Sequence, residues 1–241
     1  MGPFYRYPGA AYPETYEWEN RIADPEQRSE AFIQSVAPID GKVLLDIGAG
    51  SAFHAVRFAV QAARVYAVEP DPDMLRQAFR RLAGSERANV SMIAADAEAI
   101  PLRDELADVI HSRFAYFFGP LDDRPARCVP GIDEALRMLK PDGTIFIIDN
   151  CLTDGEFAGF LRRFAYVPSD TGEKEEAVRD SFWRSLDFEK QTIASNWIAP
   201  DRDILRQVIS MEFPAQHVER IMEDIDGTQL SYHYDVYWRR R

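Results

Sequence analysis

A mostly parallel α/β sheet, covered by helices on both faces, is predicted by three observations. Short apolar runs alternate with segments of helical apolar spacing across residues 43–149. The first run, Val43-Leu44-Leu45, delivers Asp46 and then a Gly48-Ala49-Gly50 turn that opens a helix with apolar Ala52, Phe53, Val56, Phe58 and Ala59. The second run, Val65-Tyr66-Ala67-Val68, ends at Glu69, where a carboxylate can accept both hydroxyls of a ribose. A strand, a tight glycine turn and a helix together open a nucleotide-binding βαβ unit. Glycine suits that turn because the backbone takes conformations closed to other residues and lets a ligand approach without a Cβ in the way.

Taken in order, residues 1–20 are rich in Pro, Gly and aromatics and read as an irregular arm with a short helix near Pro13 to Asn20. Asp24-Pro25-Glu26-Gln27 offers a capping aspartate, a first-turn proline and a capping-box glutamine, so a helix is expected from there to Val36. A strand over 43–47, a helix over 52–62 and a strand over 64–68 follow. Asp71-Pro72 caps a helix to about Leu82. Strands are expected over 90–94 and 107–112, then a long polar loop from Gly119 to Gly131, a helix over 131–139 and a strand over 144–149. Residues 150–187 read as helices, with Phe157, Phe160, Leu161 and Phe164 on one stripe. Phe188 to Trp197 and Gln229 to Trp238 alternate as strands, with two short helices between them.

Four motifs in order resemble the class I S-adenosylmethionine-dependent methyltransferases. They are Asp46-Ile47-Gly48-Ala49-Gly50; Ile93-Ala94-Ala95-Asp96-Ala97-Glu98; Ala107-Asp108-Val109-Ile110-His111-Ser112; and Ala135 to Thr144, which carries Pro141-Asp142-Gly143 where the family usually has Pro-Gly-Gly. The likeness is strong over residues 40–150 and rests on layout beyond them. Ala52 stands where the fuller first motif has a third glycine. The resemblance implies a Rossmann-like, doubly wound sheet of seven mostly parallel strands with an antiparallel C-terminal strand. It also implies a single domain over 1–241, with 1–40 as arm and lid helices and 150–187 as inserted helices.

The same resemblance implies S-adenosyl-L-methionine as cofactor and S-adenosyl-L-homocysteine as product. Gly48, Ala49 and Gly50 would pass the methionine part, with Asp46 near its amino group. Glu69 would hold the ribose, and Asp96 and Ala97 the adenine, with Met74 packed on the ring. Pro70, Ser112 and Arg113 complete the expected donor set; Arg113 could take a carboxylate on the donor or on an acceptor. His111 reads either as the proton acceptor facing the methyl position or as a strand-end histidine satisfied by a backbone carbonyl. His54 reads as a donor-carboxylate contact or a helix-surface residue. Tyr16 and Trp18 of the arm, with Phe114, Tyr116 and Phe117 after the fourth strand, read as walls for a flat apolar acceptor or as packing that fastens the arm.

Composition narrows the acceptor. A net charge of −12 argues against a nucleic-acid partner, because phosphate binding needs a basic face. The two cysteines, Cys128 and Cys151, match no zinc spacing and suit a reducing compartment, so no metal is expected. The N-terminal residues lack a signal-peptide layout and no run reaches membrane-spanning length, which leads to an expectation of a cytoplasmic protein without a membrane partner. Methyl transfer to a small-molecule acceptor is the function expected, with secondary metabolism as a setting that suits it. Its rivals are a donor-binding protein without transfer activity and a methyltransferase acting on protein or RNA. Monomer and homodimer stay open.

Overall fold

The computed structural model describes residues 9, 11–116, 124–165 and 171–241. Two helices, α1 (Pro13–Ile22) and α2 (Arg28–Val36), precede the sheet. The first half then alternates as β1 (Val43–Ile47), α3 (Phe53–Phe58), β2 (Arg64–Val68), α4 (Pro72–Ala83), β3 (Val90–Ile93), β4 (Ala107–Arg113), α5 (Arg124–Met138) and β5 (Leu139–Asn150). The second half holds α6 (Glu156–Phe160), which widens into a π turn over Leu161–Ala165, and α7 (Thr171–Ser185). It continues with β6 (Glu189–Ile193), β7 (Asn196–Ile198), α8 (Arg202–Glu212), α9 (Ala215–Asp224), β8 (Gln229–Ser231) and β9 (Tyr234–Arg240).

Seven strands form one sheet in the order β3-β2-β1-β4-β5-β9-β6. The pairs from β3 to β5 are parallel, and β9 runs antiparallel between β5 and β6. The predicted fold class is therefore the observed one. Period-two alternation sends consecutive strand residues to opposite faces. Leu44, Val109, Phe146 and Ile148 join Ile33 of α2, Phe58 of α3, Leu205 of α8 and Ile221 of α9 in one core. Leu45, Ile110, Ile145 and Ile147 join Ala135 and Met138 of α5, and Trp183 of α7, in the other. Ile33, Leu44 and Leu45 are wholly buried, so truncating one to alanine would cost about 2–5 kcal/mol.

Several expected boundaries move, each for a local reason. α2 starts at Arg28 because Asp24 and Gln27 both take left-handed backbone, with φ of +51° and +58°. Asp24 still caps the helix from that distance: its carboxylate accepts from the Arg28 and Ser29 amides, at 2.9 Å each, and from the Ser29 and Ser195 hydroxyls. α3 ends at Phe58, earlier than expected, and Ala52 bears φ +59° itself in the place of the missing glycine. From Arg124 onward the supposed loop is helical, with Pro130 inside α5, while 119–123 lie outside the described residues. β5 begins at Leu139, where Asp142 at φ +63° carries the turn that a glycine usually takes.

Each of the two late strands is broken once. Ala194 and Ser195 separate β6 from β7, and Tyr232 and His233 separate β8 from β9. The breaks lie opposite each other, Tyr232 N–H donating to the Ser195 carbonyl at 3.0 Å, so β7 and β8 peel off as a separate two-stranded sheet. Alternation continues through both bends, which is why the pattern predicts one long strand at each place.

Candidate active site

The glycine turn after β1 is shaped by contacts on both sides. The amides of Gly48 and Ala49 both donate to the Val68 carbonyl at 2.9 Å, which folds the turn back onto the end of β2. Gly48 and Gly50 have φ of +74° and +54°. A Cβ on Gly48 would sit 2.4 Å from the Ala115 Cβ, and one on Gly50 would sit 2.7 Å from the Tyr16 hydroxyl. Glycine is needed at both positions for conformation and for space.

Glu69 secures this turn from below. One carboxylate oxygen accepts the Gly50 amide and the other the Asp71 amide, both at 2.8 Å. Asp71 in turn caps α4 through the Asp73 and Met74 amides. Burial pushes the Glu69 carboxyl up to about 7, with Asp71 and Asp46 adding negative charge nearby. Each Glu69 oxygen keeps a second lone pair for a further donor.

Asp46 lies opposite His111 in the β1–β4 register, and the His111 Nδ1 meets the Asp46 Oδ1 at 2.7 Å. Both residues are buried, so Nδ1 carries the proton and donates to the carboxylate. The other carboxylate oxygen, Oδ2, is buried with no hydrogen-bond partner among the described residues. A buried carboxylate oxygen left in that state is costly unless something else donates to it. The His111 ring packs edge-on against Phe58, with centroids 4.9 Å apart, and lies 5.7 Å from the His54 ring.

His54, in the first turn of α3, joins a second buried chain. Its Nδ1 meets Glu30 at 3.1 Å and its Nε2 meets the Arg113 Nη1 at 2.8 Å. Burial and the Arg113 charge hold the imidazole down at about 4, against the pull of Glu30. His54 is thus neutral at ordinary pH, donating from Nδ1 to Glu30 and accepting at Nε2 from Arg113. Glu30 also receives Arg57 at 2.7 and 3.0 Å; these partners outweigh its burial and hold it at about 2. Arg113 donates from Nη2 to the Tyr234 hydroxyl at 2.8 Å.

The remaining expected residues fall in different surroundings. Met74 is buried in the first turn of α4, beside half-buried Pro70. Asp96 is half-buried in the turn after β3, where its carbonyl accepts the Ala99 amide. Ala97 packs near Gly131. The Ser112 hydroxyl is fully buried and donates to the Ile47 carbonyl at 3.0 Å, tying β4 to β1. Tyr16 reaches the glycine turn from α1, and Trp18 packs on the core beneath the Arg21 guanidinium. Phe114, at φ +54°, stacks near Tyr234 under the Arg113 guanidinium. Tyr116 is buried, with its hydroxyl on the Gly131 carbonyl and its ring edge-on to Trp183. Phe117 lies outside the described residues.

Four participants carry no sequence signal: Glu30, Tyr234, Glu17 and Arg81. Arg81 of α4 pairs with Glu17 of α1 and donates from Nε to the Ser51 carbonyl at 2.8 Å, so it ties the arm to the glycine turn. Among the described residues no helix is long and apolar enough to cross a membrane.

The residues present fit a donor that carries an ammonium and a ribose. Among the described residues Asp46 offers an unused buried carboxylate oxygen, and Glu69 retains acceptor capacity beside the glycine turn. Residues 45–147 match the methyltransferase domain family. The chain is 34% identical over 119 residues to a demethylmenaquinone methyltransferase of Clavibacter sepedonicus, a match covering 49% of this chain and 45% of that protein. It is 30% identical over 122 residues to a ubiquinone/menaquinone biosynthesis C-methyltransferase of Paracoccus denitrificans, covering 49% and 46%. These matches span about half the length of the curated relatives. The fold is similar to that of the YcgJ protein from Bacillus subtilis, with a TM-score of 0.59 and 17% identity, covering 88% of this chain and 97% of that one. Residues 45–147 thus match a methyltransferase domain, and the sheet they belong to has the seven-stranded, mostly parallel order that the resemblance to the class I S-adenosylmethionine-dependent methyltransferases implies.

Proposed function

We propose that this chain transfers a methyl group from S-adenosylmethionine to a small-molecule acceptor. The observation that carries the reading is the buried, unpartnered Asp46 Oδ2 beside a glycine turn closed by Glu69. Bound there, S-adenosylmethionine supplies a methyl carbon on a sulfonium, whose leaving group departs as a neutral thioether. In this reading Asp46 accepts from the donor ammonium and Glu69 from the ribose hydroxyls, while Asp96, Ala97, Pro70 and Met74 form the adenine end. His111 is a positioning residue: its Nδ1–H fixes one Asp46 oxygen and leaves the other aimed at a ligand. Ser112 acts in the same way on the strand ends. The protein's main task is then alignment and exclusion of water.

Several features support a small, flat acceptor. Aromatic rings of Phe114 and Tyr234 stand at the ends of β4 and β9, with Tyr16 and Trp18 on α1. The net charge of −12 weighs against a nucleic-acid substrate. Two relatives are named for quinone biosynthesis, and a quinone precursor is a ring of the kind these walls would suit. Residues 1–40 act in this reading as the arm over the site, and residues 150–187 as helices added to the single domain. Calorimetry with S-adenosylhomocysteine and with NAD tests the donor, and methyl transfer to a panel of quinols and phenols tests the acceptor. Tight NAD binding without S-adenosylhomocysteine binding overturns the proposal.

A further inference from the structure

Arg113 is a cation in an unusual position. Its two hydrogen-bond partners, the His54 Nε2 and the Tyr234 hydroxyl, are both neutral, and no carboxylate among the described residues lies within ion-pair distance. Its guanidinium lies against two neighbouring rings, with centroids 4.9 Å away on Phe114 and 4.7 Å away on Tyr234. The carboxylate that could have neutralised it, Glu30, is separated from it by the His54 ring and is already bound to Arg57. Removing a charge from water without pairing it is expensive, and the rings recover only part of that cost. The fold has nevertheless placed neutral groups beside this cation and held its plane fixed.

Position adds a second argument. Arg113 lies two residues beyond His111 on β4, so both side chains project to the same face of the sheet. His111 holds Asp46, and its ring lies 5.7 Å from that of His54, which holds Arg113. An anion with a free oxygen and a cation with no carboxylate in direct contact, only the more distant field of Asp24 and Glu19, thus stand at one sheet edge, each kept in place by a buried histidine. We propose that Arg113 is a carboxylate-binding subsite, with His54 as its positioning residue. A planar guanidinium with fixed orientation suits a carboxylate, which accepts two parallel N–H bonds. The carboxylate comes from the donor's amino acid part or from an acidic acceptor. The subsite rests on the methyl-transfer reading only for the first of these.

Two pairs of probes test it on the full chain. One is S-adenosylhomocysteine against its decarboxylated analogue; the other is benzoate against benzamide, measured with and without S-adenosylhomocysteine. The expected result is that wild type prefers the carboxylate member of one pair by roughly tenfold to hundredfold, as for a charge-assisted bond. That preference should vanish in Arg113→Gln and return in part in Arg113→Lys, which keeps the charge and loses the fork. Preference in the first pair assigns the donor; preference in the second assigns the acceptor. If S-adenosylhomocysteine does not bind at all, the methyl-transfer reading falls, and the benzoate pair on the free protein still decides the subsite. The proposal is overturned if wild type treats both pairs alike, or if the preference survives in a folded Arg113→Gln protein. Should that variant fail to fold, wild-type discrimination and its weakening in Arg113→Lys carry the decision.

Discussion

Two clusters of buried charge sit on the same sheet, finished to different degrees. At the ends of β1 and β4, among the described residues, Asp46 keeps an unpartnered oxygen and Arg113 bonds only neutral groups. Farther along, where α7 covers β5, β9 and β6, every charge is answered. Arg179 meets Asp149 at 3.2 Å and Asp235 at 2.8 Å, and donates to the Tyr237 hydroxyl and the Asn150 carbonyl. Lys190 meets Glu176 at 2.9 Å, Asp180 at 3.0 Å and Asp235 at 3.1 Å. Cys151, Glu176 and Asp235 bring ligand atoms within 4.8 Å of one another, yet Lys190 already bonds both of those carboxylates. The second cluster is closed on itself and fastens a helix. The first is left open among the described residues, and our proposal gives its open positions to a ligand. Completeness, rather than charge or burial, separates structural groups from those held ready for binding.

Breaking the closed cluster should have the largest effect. Arg179→Met removes the cation between Asp149 and Asp235, whose carboxyls burial already pushes up despite Arg179. Stability should fall by about 3–5 kcal/mol, the cost of leaving a buried charge unpaired. Affinity for S-adenosylhomocysteine in the folded fraction should not change. Denaturant melts and calorimetry on one sample check both; equal losses would mean that the two clusters are coupled.

Asp46→Asn tests the open cluster and should give the opposite pattern. The carboxamide oxygen of the substituted side chain would still accept the His111 Nδ1–H, and the lost charge had no protein partner at Oδ2. Donor-product affinity should fall by about 1.5–3 kcal/mol while the melting temperature holds or rises. A large loss of stability would show that Asp46 serves the fold rather than a ligand.

How much of this is legible in the sequence follows the range of the contacts. Asp46, the glycines and Glu69 can be read because one motif and one strand end hold them within a short stretch. The seven strands are legible from apolar runs, and their order comes only with the family resemblance. The chain Glu30–His54–Arg113–Tyr234 is not legible, because its links join residues 24, 59 and 121 positions apart. The sequence puts His54 on a helix surface or at a ligand; in the fold it is occupied on both nitrogens. The bends at Ser195 and Tyr232 escape because a kinked strand keeps its alternation. Asp24 reads as a cap, but its reach to Arg28 and Ser29 depends on left-handed backbone that composition does not announce.

A smaller effect separates Glu69 from both clusters, since it is bonded to the backbone yet keeps acceptor capacity. Its carboxyl titrates at about 7, above the ordinary value of 4.5, because of burial. A group raised in this way favours the folded state below about 4.5 and loses that contribution as pH rises through about 7. Binding runs the other way, because the ionised carboxylate is the better acceptor for ribose hydroxyls. Affinity for S-adenosylhomocysteine should therefore weaken as pH falls below about 7, by up to about tenfold per unit. Glu69→Gln should flatten that profile. A profile unchanged by the substitution would assign the titration to another group.

The smallest expected effect concerns the arm, which belongs to neither cluster but leans on the open one. Tyr16 of α1 reaches the glycine turn, and Glu17 of the same helix pairs with Arg81, which holds the Ser51 carbonyl. Deleting the helix would mix two effects, because Ile22 is buried in the core and α1 packs on α8. A point change at Glu17 loosens the latch together with the Arg21–Glu17 pair inside α1. The Glu17 and Arg81 side chains are 25% and 22% exposed, so Glu17→Gln should cost no more than about 1 kcal/mol of stability. If α1 is a lid over the donor, the same substitution should speed release of S-adenosylhomocysteine several-fold, and added salt should do the same to wild type while leaving the variant unmoved. Stopped-flow displacement measures the release rate directly. A release rate identical in variant and wild type, at low salt and with both melting alike, would leave α1 as packing and remove the lid from the mechanism.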